Sequence, residues 1–414
     1  MILEGLEIST LIVKKDFTLL ITTILNEACP FCNVSGQYGN ISVSSNTLNR
    51  GCNNCKQWDY YPLPPLKKKI IYLDQFFISH AFRQQEKPFV DAAERIKDMA
   101  ARQLVVCPYS SVHVKETHLW RHENQQSLFE FIKQTARGHK YSQHYEISKV
   151  QIQHSFELFK NGKGSEAVID LDQAFHNDVH TWDDYFWIDI APHLGDLDAM
   201  RQGKADAIAT LIGLFPAWSN LKTTFSEDVA FEALGYGRSL LQQYKEMLKA
   251  AESGDFMAKL NAPIEASYIE TLLYYDSKTL SHEDRFKRIA AFISSKHFTK
   301  IPFVNVSCGL FAVLRKMVKN GAYTNPVNAK RKLAGLFYDS ECISVFGPYS
   351  DAIFIDRAME QWCKEPEANL LDRYDTKVFS AHTWDDFHNY LDEIEGDMSE
   401  ELKNALPLAY PQRM

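Results

Sequence analysis

Three short apolar runs, each bounded by polar residues, have the pattern of buried β-strands. They are Ile70–Leu73, Leu104–Cys107 and Ala352–Ile355, and each is followed by a segment with the periodicity of an amphipathic helix. From about residue 140 to residue 300 the pattern is almost entirely helical, for example in Glu227–Glu252. Strands that alternate with helices predict an α/β fold, and here a large helical insertion separates the early strands from the late one.

The sequence also marks both ends of one late helix. Asn325-Pro326 is a typical N-cap and first-turn pair, and Gly347-Pro348 interrupts the helical pattern after Phe346. We therefore expect one continuous helix between these two signals.

Composition excludes two classes of protein. A hydrophobic fraction of 45% with 24% charged residues is typical of a globular chain and not of a disordered one. The apolar runs are too short to span a bilayer, and the amino terminus lacks the pattern of a secretory signal. The expectation is a cytoplasmic protein with no membrane partner.

Charge is distributed unevenly along the chain. The net charge is −8, but residues 365–400 alone hold eleven acidic residues against two basic ones. Lys300–Tyr338, by contrast, contains seven basic residues and no acidic one. This stretch is a candidate surface for a polyanion, although a solvated helix face has the same composition. The candidate substrate-binding residues are Arg315, Lys316, Lys330, Arg331 and Lys332.

Four of the eight cysteines form two CxxC pairs in a β-prone amino-terminal segment. Cys29 and Cys32 are separated by nineteen residues from Cys52 and Cys55, which is the spacing of a tetrahedral structural zinc site. A disulfide framework and a redox pair are less favoured, since a redox CxxC would not occur twice in so small a module. We interpret this zinc ribbon as an element that binds substrate together with the lysines at 67–69. The alternatives are that it stabilises the fold or forms a dimer contact. The remaining cysteines, expected to be buried thiols, are Cys107, Cys308, Cys342 and Cys363.

Four acidic residues are predicted to face the sheet. Asp74 and Asp356 each end an apolar strand, at the edge where parallel sheets build ligand sites. Glu116 lies on the helix after the second strand, and Asp339 lies in the middle of the predicted late helix, on its packed side. Each acid alone has the alternative role of a helix cap or an ion-pair partner. Because no Lys or Arg occupies a comparable position, we expect the four together to bind one or two Mg²⁺ or Mn²⁺ ions.

The segments around these acids resemble the PIN-like nuclease family. The resemblance covers roughly residues 67–135 and 300–395, and it implies a small parallel sheet between helices. It also implies metal-dependent cleavage of single-stranded RNA, with Asp351 as an additional acid of the catalytic set. Gln75 departs from the family, which commonly has Thr or Ser after the first Asp. The segments are IIYLDQFFISHAF with Asp74, LVVCPYSSVHVKET with Glu116, and LAGLFYDSECISVFGPYSDAIFIDRAM with Asp339, Asp351 and Asp356.

The resemblance divides the chain into four parts. Residues 1–66 would form the zinc ribbon and linker, 67–140 and 300–414 the two halves of a PIN-like domain, and 141–299 the helical insertion. The resulting hypothesis is an endoribonuclease with structural Zn²⁺ and catalytic Mg²⁺ or Mn²⁺, of the kind found in toxin and antiviral systems. A non-catalytic nucleic-acid-binding protein, and a DNA nuclease or phosphatase that uses the same acids, are the alternatives. The sequence is compatible with a homo-oligomer or a partner protein.

One further stretch is rich in metal-ligating residue types. His176–Asp206 contains several Asp and His residues, which have the composition of a second metal centre or of a solvated acidic face. Their spacing matches no known ligand set, so this stretch is interpreted as a solvated face.

Overall fold

A computed structural model describes residues 24–84, 86–120, 122–166, 169–183 and 197–411. It is an α/β structure with one parallel sheet, one antiparallel sheet and many helices, as the sequence predicts. The antiparallel sheet has the order β1-β2-β3-β4 and lies in the amino-terminal ribbon. Its strands are β1 Ile24–Glu27, β2 Tyr38–Ser44, β3 Thr47–Cys52 and β4 Trp58–Pro62.

The parallel sheet is formed by four short strands in the order β6-β5-β7-β8. Three of them correspond to the predicted apolar runs. The fourth, at one edge, was not predicted, because it is only three residues long and begins with the exposed Lys377. The strands are β5 Lys69–Leu73, β6 Val105–Val106, β7 Ala352–Phe354 and β8 Lys377–Phe379.

Alternate side chains of the central strand β5 enter two different hydrophobic cores. Ile70 and Tyr72 contribute to the core on one face of the sheet, and Ile71 and Leu73 contribute to the core on the other face. Both faces are therefore covered, which is why the strand is continuously apolar and does not alternate with polar residues.

Helices cover both faces of the parallel sheet. None of the helices in the described residues is long and apolar enough to cross a membrane. Those before residue 140 are α1 Gln75–Arg83, α2 Lys87–Ala101, α3 Ser111–His118 and α4 His122–Ala136. Those up to residue 300 are α5 His144–Lys160, α6 Leu197–Gly213, α7 Phe215–Trp218, α8 Phe225–Glu252, α9 Ala258–Asn261, α10 Ala266–Tyr275, α11 His282–Ile293 and α12 Lys296–Thr299. The late helices are α13 Pro302–Lys319, α14 Pro326–Lys332, α15 Leu336–Phe346, α16 Arg357–Cys363, α17 Trp384–Gly396 and α18 Glu400–Ala409.

The inserted helices share a core with the sheet. Phe156 of α5, Leu240 of α8 and Phe292 of α11 belong to the same buried cluster as Ile353 of β7. Helix α8 packs along α13, which connects the insertion to the late part of the chain. The insertion therefore continues the core on one face of the sheet.

The predicted continuous helix after Asn325 is instead two helices, α14 and α15. The helical pattern is interrupted at residues 333–335, where Gly335 becomes the N-cap of α15. Glycine is a weak helix former and a tolerated N-cap, so a break there has little cost. As a result Asp339 lies in the first turn of α15 and not in the middle of a helix.

Candidate active site and cysteine cluster

The carboxyl ends of β5 and β7 place Asp74 and Asp356 at the same edge of the sheet. Leu73 is paired with Phe354 in the parallel ladder, and the backbone N–H of Asp74 donates to the carbonyl of Phe354 at 2.9 Å. Asp356 is the N-cap of α16, and one of its carboxylate oxygens accepts a hydrogen bond from the N–H of Met359 at 2.9 Å. The other carboxylate oxygen of Asp356 takes no part in this capping bond.

Glu116 on α3 and Asp339 on α15 act electrostatically on the same edge. Burial and the charges of Glu116 and Asp356 raise the pKa of Asp74 to about 8. Burial and the charge of Asp339 raise the pKa of Glu116 to about 7. The pKa of Asp339 is raised well above its usual range by burial and by Asp74 and Asp356. We call these four residues the acidic cluster.

The spacing within the acidic cluster is wider than that of ligands around a single ion. In the part of the chain that the structure describes, only the amino-terminal cysteines form a group of three or more ligand atoms within 4.8 Å of one another. The predicted binding of Mg²⁺ or Mn²⁺ by the four carboxylates therefore stays a prediction.

Gln75, the residue after Asp74, has a buried side-chain oxygen without a hydrogen-bond partner. Its side chain is buried, and its Nε2 donates to the hydroxyl of Thr117 on α3 at 3.3 Å. Its Oε1 is also buried and has no hydrogen-bond partner in the structure. Buried polar atoms are rarely unpaired unless a water or an ion completes them. A carbonyl oxygen of this kind is one of the ligand types that hard divalent cations use, so Gln75 fits such an ion chemically.

His113 positions the end of β5, and sequence reasoning missed it. Its Nδ1 accepts the N–H of Ser110 at 2.9 Å, so its Nε2 carries the hydrogen and donates to the carbonyl of Leu73 at 2.8 Å. Burial lowers the pKa of His113 to about 4, which keeps the ring neutral. Ser110 is the N-cap of α3, and a His three residues after a Ser cap is the signal that would have revealed this link.

Gly335 leaves space for the Asp339 carboxylate. A Cβ atom at position 335 would lie 2.8 Å from Oδ2 of Asp339, which is closer than such atoms approach one another. The glycine that breaks the predicted helix therefore also allows the carboxylate to turn toward the N-terminal end of α15.

A cation from another part of the chain lies near these acids. Lys204, on α6 of the insertion, places its positive charge near Glu116 and Asp339, where it opposes the increase in their pKa values. The sequence did not reveal this lysine because it lies more than eighty residues from either acid and on a different helix.

Asp351 is not part of the acidic cluster, so its predicted place in the catalytic set is wrong. It precedes β7, and its carboxylate accepts the N–H of Ile70 at 2.8 Å and pairs with Lys69 at 2.7 Å. Because β5 and β7 are parallel, residues before the strands lie at the opposite edge of the sheet from residues after them. Asp351 therefore fixes the start of the strand pair.

The five basic candidate residues fall into two groups. Arg315 is 3% exposed and pairs with Glu232 and Asp228, and Lys316 pairs with Glu365 at 2.7 Å. Arg315 is buried and Lys316 is half-buried, and both are engaged in ion pairs, which corrects their predicted role in substrate binding. The other group lies on α14, is exposed, and forms no ion pair in the described ranges; it consists of Lys330, Arg331 and Lys332.

Lys68 is also unavailable to substrate, although the sequence suggested the lysines at 67–69 as a grip. It is 1% exposed and pairs with the buried Asp183 at 2.7 Å. Asp183 also binds Arg137 at 2.8 Å and His139 at 3.0 Å. The charge of Lys68, just before β5, therefore holds Asp183 of the insertion next to the sheet.

The four amino-terminal cysteines come together as the sequence predicts. The sulfur of Cys29 lies 3.7 Å from that of Cys55, and the sulfur of Cys32 lies 3.7 Å from that of Cys52. No disulfide joins them. A tetrahedral zinc with Zn–S bonds of about 2.3 Å requires sulfur separations of about 3.8 Å, so the cluster has the dimensions to bind zinc. The other four cysteines are buried thiols, as expected.

The two CxxC turns have matching backbone geometry. The N–H of Asn33 donates to the carbonyl of Cys29 at 2.9 Å, and the N–H of Lys56 donates to that of Cys52 at 3.0 Å. Both donors have a φ of 60°. Asn tolerates this left-handed conformation better than most residues, and each turn directs two sulfurs to one point.

The Asp- and His-rich stretch forms no additional metal group in the described residues. Four of its members, Asp184, Asp189, His193 and Asp196, lie outside those residues.

No family model, curated protein or solved structure matches this chain. The likeness to PIN-like nucleases is therefore carried by short motifs alone, and the activity it implies is a proposal.

Proposed function

We propose that this protein is a metal-dependent nuclease that hydrolyses phosphodiester bonds of single-stranded RNA. The observation that supports it best is the acidic cluster at the carboxyl edge of a parallel sheet, where Asp74 and Asp356 meet Glu116 and Asp339. Asp74 is buried and the other three acids are half-buried, and carboxylates brought together in this way are costly unless a cation compensates them.

Asp74, Glu116, Asp339 and Asp356 would bind the ion or ions, with Gln75 Oε1 accepting from a metal-bound water. A divalent ion there supplies the acidified water and the charge neutralisation that phosphodiester hydrolysis needs.

The chain's own residues provide proton control and attraction of substrate. With a pKa of about 8, Asp74 is mostly protonated at neutral pH, and with a pKa of about 7 Glu116 is protonated in about half of the molecules. Lys330, Arg331 and Lys332 form an exposed basic surface on α14, only a few residues before Asp339. A polyanionic strand attracted to α14 is thereby brought near the acids.

The cysteine cluster is proposed to hold one structural zinc ion. All four positions are occupied by cysteine, which leaves no open site for chemistry.

The test is incubation with labelled single-stranded RNA and with the same sequence as DNA, each with and without added Mn²⁺. We expect cleavage of RNA that requires Mn²⁺, and Asp74→Asn should reduce it to background. Asp397→Asn, which removes an exposed carboxylate on the far end of α17, is the matched control and should cleave normally. The zinc content of every sample is measured, so that loss of the ribbon is not mistaken for loss of the catalytic metal.

One alternative, a binding protein without catalysis, is favoured because no three carboxylate oxygens in the described residues lie within 4.8 Å of one another. Such a protein would bind RNA as tightly as before after Asp74→Asn and would cleave neither substrate at any Mn²⁺ concentration. Cleavage of DNA in preference to RNA would identify the DNA nuclease instead.

A further inference from the structure

A small cleft opens beside the acidic cluster, between the insertion and the late helices. Its volume is about 320 Å³, at the lower end of the range for small-molecule sites, about 300 to 1,000 Å³. Its walls come from α3, α6 and α15, the first and last of which carry Glu116 and Asp339. The residues that line it are Lys115, Gly203, Lys204, Ala207, Phe337 and Tyr338.

The two lysines of the cleft have different environments. Lys115 is paired with Glu341 at 3.1 Å. Lys204 forms no ion pair within the described ranges, and its Nζ lies 4.3 Å from the centre of the Tyr338 ring. Within the described residues no carboxylate forms an ion pair with Lys204, so its ammonium group is available to an anionic group of a ligand in the cleft.

The aromatic side of the cleft is suited to a flat ring. Tyr338 and Phe337 are each half-buried and present ring surface to the cavity. Aromatic side chains next to a cation are the usual means by which proteins bind an unpaired base together with its phosphate. The basic helix α14 packs against α6, so a strand bound along α14 can continue into this cleft.

We propose that this cleft binds one nucleotide of the single-stranded substrate, next to the phosphate that is cleaved. Lys204 contacts a backbone phosphate, and Tyr338 and Phe337 pack against the base. The insertion thus completes the substrate site through Lys204, a positioning residue. This inference rests on the proposed nuclease function for its substrate class, but its test does not depend on cleavage.

The test measures binding of a labelled single-stranded RNA by fluorescence anisotropy over a range of salt concentrations. Lys204→Ala should weaken binding about tenfold, as expected for a charge-assisted contact, and should reduce the slope of log affinity against log salt by about 0.7. Lys204→Arg should restore most of both. Tyr338→Leu should weaken binding about fivefold or more, whereas Tyr338→Phe, which keeps the ring, should not.

Lys222→Ala is the matched control, because Lys222 is an exposed lysine of the insertion that forms no ion pair in the described part of the chain. The proposal is overturned if Lys204→Ala and Tyr338→Leu bind as tightly as Lys222→Ala with the same salt slope. Thermal melting tests whether each variant is folded. If Lys204→Ala or Tyr338→Leu does not fold, the test rests on Lys204→Arg and Tyr338→Phe.

Cleavage kinetics separate this proposal from the nuclease assignment. In single-turnover reactions Lys204→Ala should raise the RNA concentration for half-maximal rate and leave the maximal rate within about threefold, whereas Asp74→Asn should lose the maximal rate. A wild-type protein that binds RNA through Lys204 without cleaving it would refute the nuclease function and retain the cleft. If Asp74→Asn loses cleavage while Lys204→Ala binds and cleaves RNA like the wild type, the nuclease function is supported and the proposal for the cleft is refuted.

Discussion

The surroundings of Asp74 disfavour its ionised form. It is buried, it is the N-cap position of α1 without a side-chain capping bond, and two other acids act on it. Burial and the two neighbouring acids disfavour the ionised form of Asp74, and the helix terminus does not. A residue in this environment either destabilises the fold or binds a cation. Measuring how the stability of the protein responds to pH and to added metal distinguishes these two cases.

We predict that Asp74→Asn stabilises the protein in buffer without added Mg²⁺ or Mn²⁺. The folded-state pKa of about 8 is above the ordinary 3.8, so between these values the folded protein holds a proton that the unfolded chain has lost. The stability contributed by this proton is complete below about pH 4 and is lost as the pH rises to about 8. At pH 8 the variant should be more stable by an amount on the order of 3 kcal/mol.

Chemical denaturation at pH 5 and pH 8 measures this difference. Asp397→Asn should show no such pH-dependent gain, and added Mn²⁺ should stabilise the wild type more than Asp74→Asn. If the stability of Asp74→Asn depends on pH in the same way as that of the wild type, the Asp74 carboxylate is not destabilised by its neighbours in the folded protein.

At the scale of elements, the break between α14 and α15 separates two functions that the sequence placed on one helix. Helix α14 presents its basic residues to solvent, and α15 turns Asp339 toward the sheet. A continuous helix would fix the relative direction of these side chains by its 3.6-residue period. The break at Gly335 removes that constraint.

We predict that changing Lys330, Arg331 and Lys332 together to Ala weakens binding of single-stranded RNA and flattens its dependence on salt. Three lost phosphate contacts should reduce the log–log slope by about 2. The fold should be preserved, since these side chains are exposed and unpaired in the described residues. Titration of RNA at several salt concentrations measures the effect.

Lys316→Ala is the contrasting variant for this experiment. Its side chain pairs with Glu365 and Glu367, so its removal should leave the salt slope as it is. Equal losses in both variants would mean that the strand follows another surface.

At the scale of the whole molecule, the ribbon and the carboxyl-terminal helix are joined to one face of the sheet. Val43 and Leu48 of the ribbon belong to the same buried cluster as Leu73 of β5 and Tyr410. The side chain of Asn40 also donates to the carbonyl of Leu408 at 2.7 Å. The cysteine cluster therefore stabilises a module on which part of the main core depends.

We predict that the purified protein contains about one zinc per chain and that Cys52→Ser loses it. The ribbon should then unfold while most of the helical circular-dichroism signal persists. Loss of burial at Val43 and Leu48 should lower the free energy of unfolding by an amount on the order of 3 kcal/mol. Elemental analysis and chemical denaturation measure the two effects.

Cys107→Ala provides the control, since Cys107 is a buried thiol of the main core and not of the cluster. It should keep its zinc. Folded protein that contains no zinc, or in which the four cysteines form disulfides, would contradict the prediction.

The sequence by itself determined those features that depend on local pattern and spacing. The buried strands at Ile70–Leu73 and Ala352–Ile355 follow from continuous apolar runs, and the cysteine cluster follows from two CxxC pairs. The placement of Asp74 and Asp356 at one edge follows as well, because both directly end parallel strands. In each case neighbouring residues along the chain carry the whole signal.

Only the tertiary structure decided which charges meet. Asp351 looked like a member of the site but lies at the other edge, and Arg315 and Lys68 looked free but are buried in ion pairs. Lys204 arrives from the insertion beside Glu116 and Asp339. Contacts between residues far apart in sequence depend on how helices pack, and no periodicity along the chain records which side chain faces another across a core.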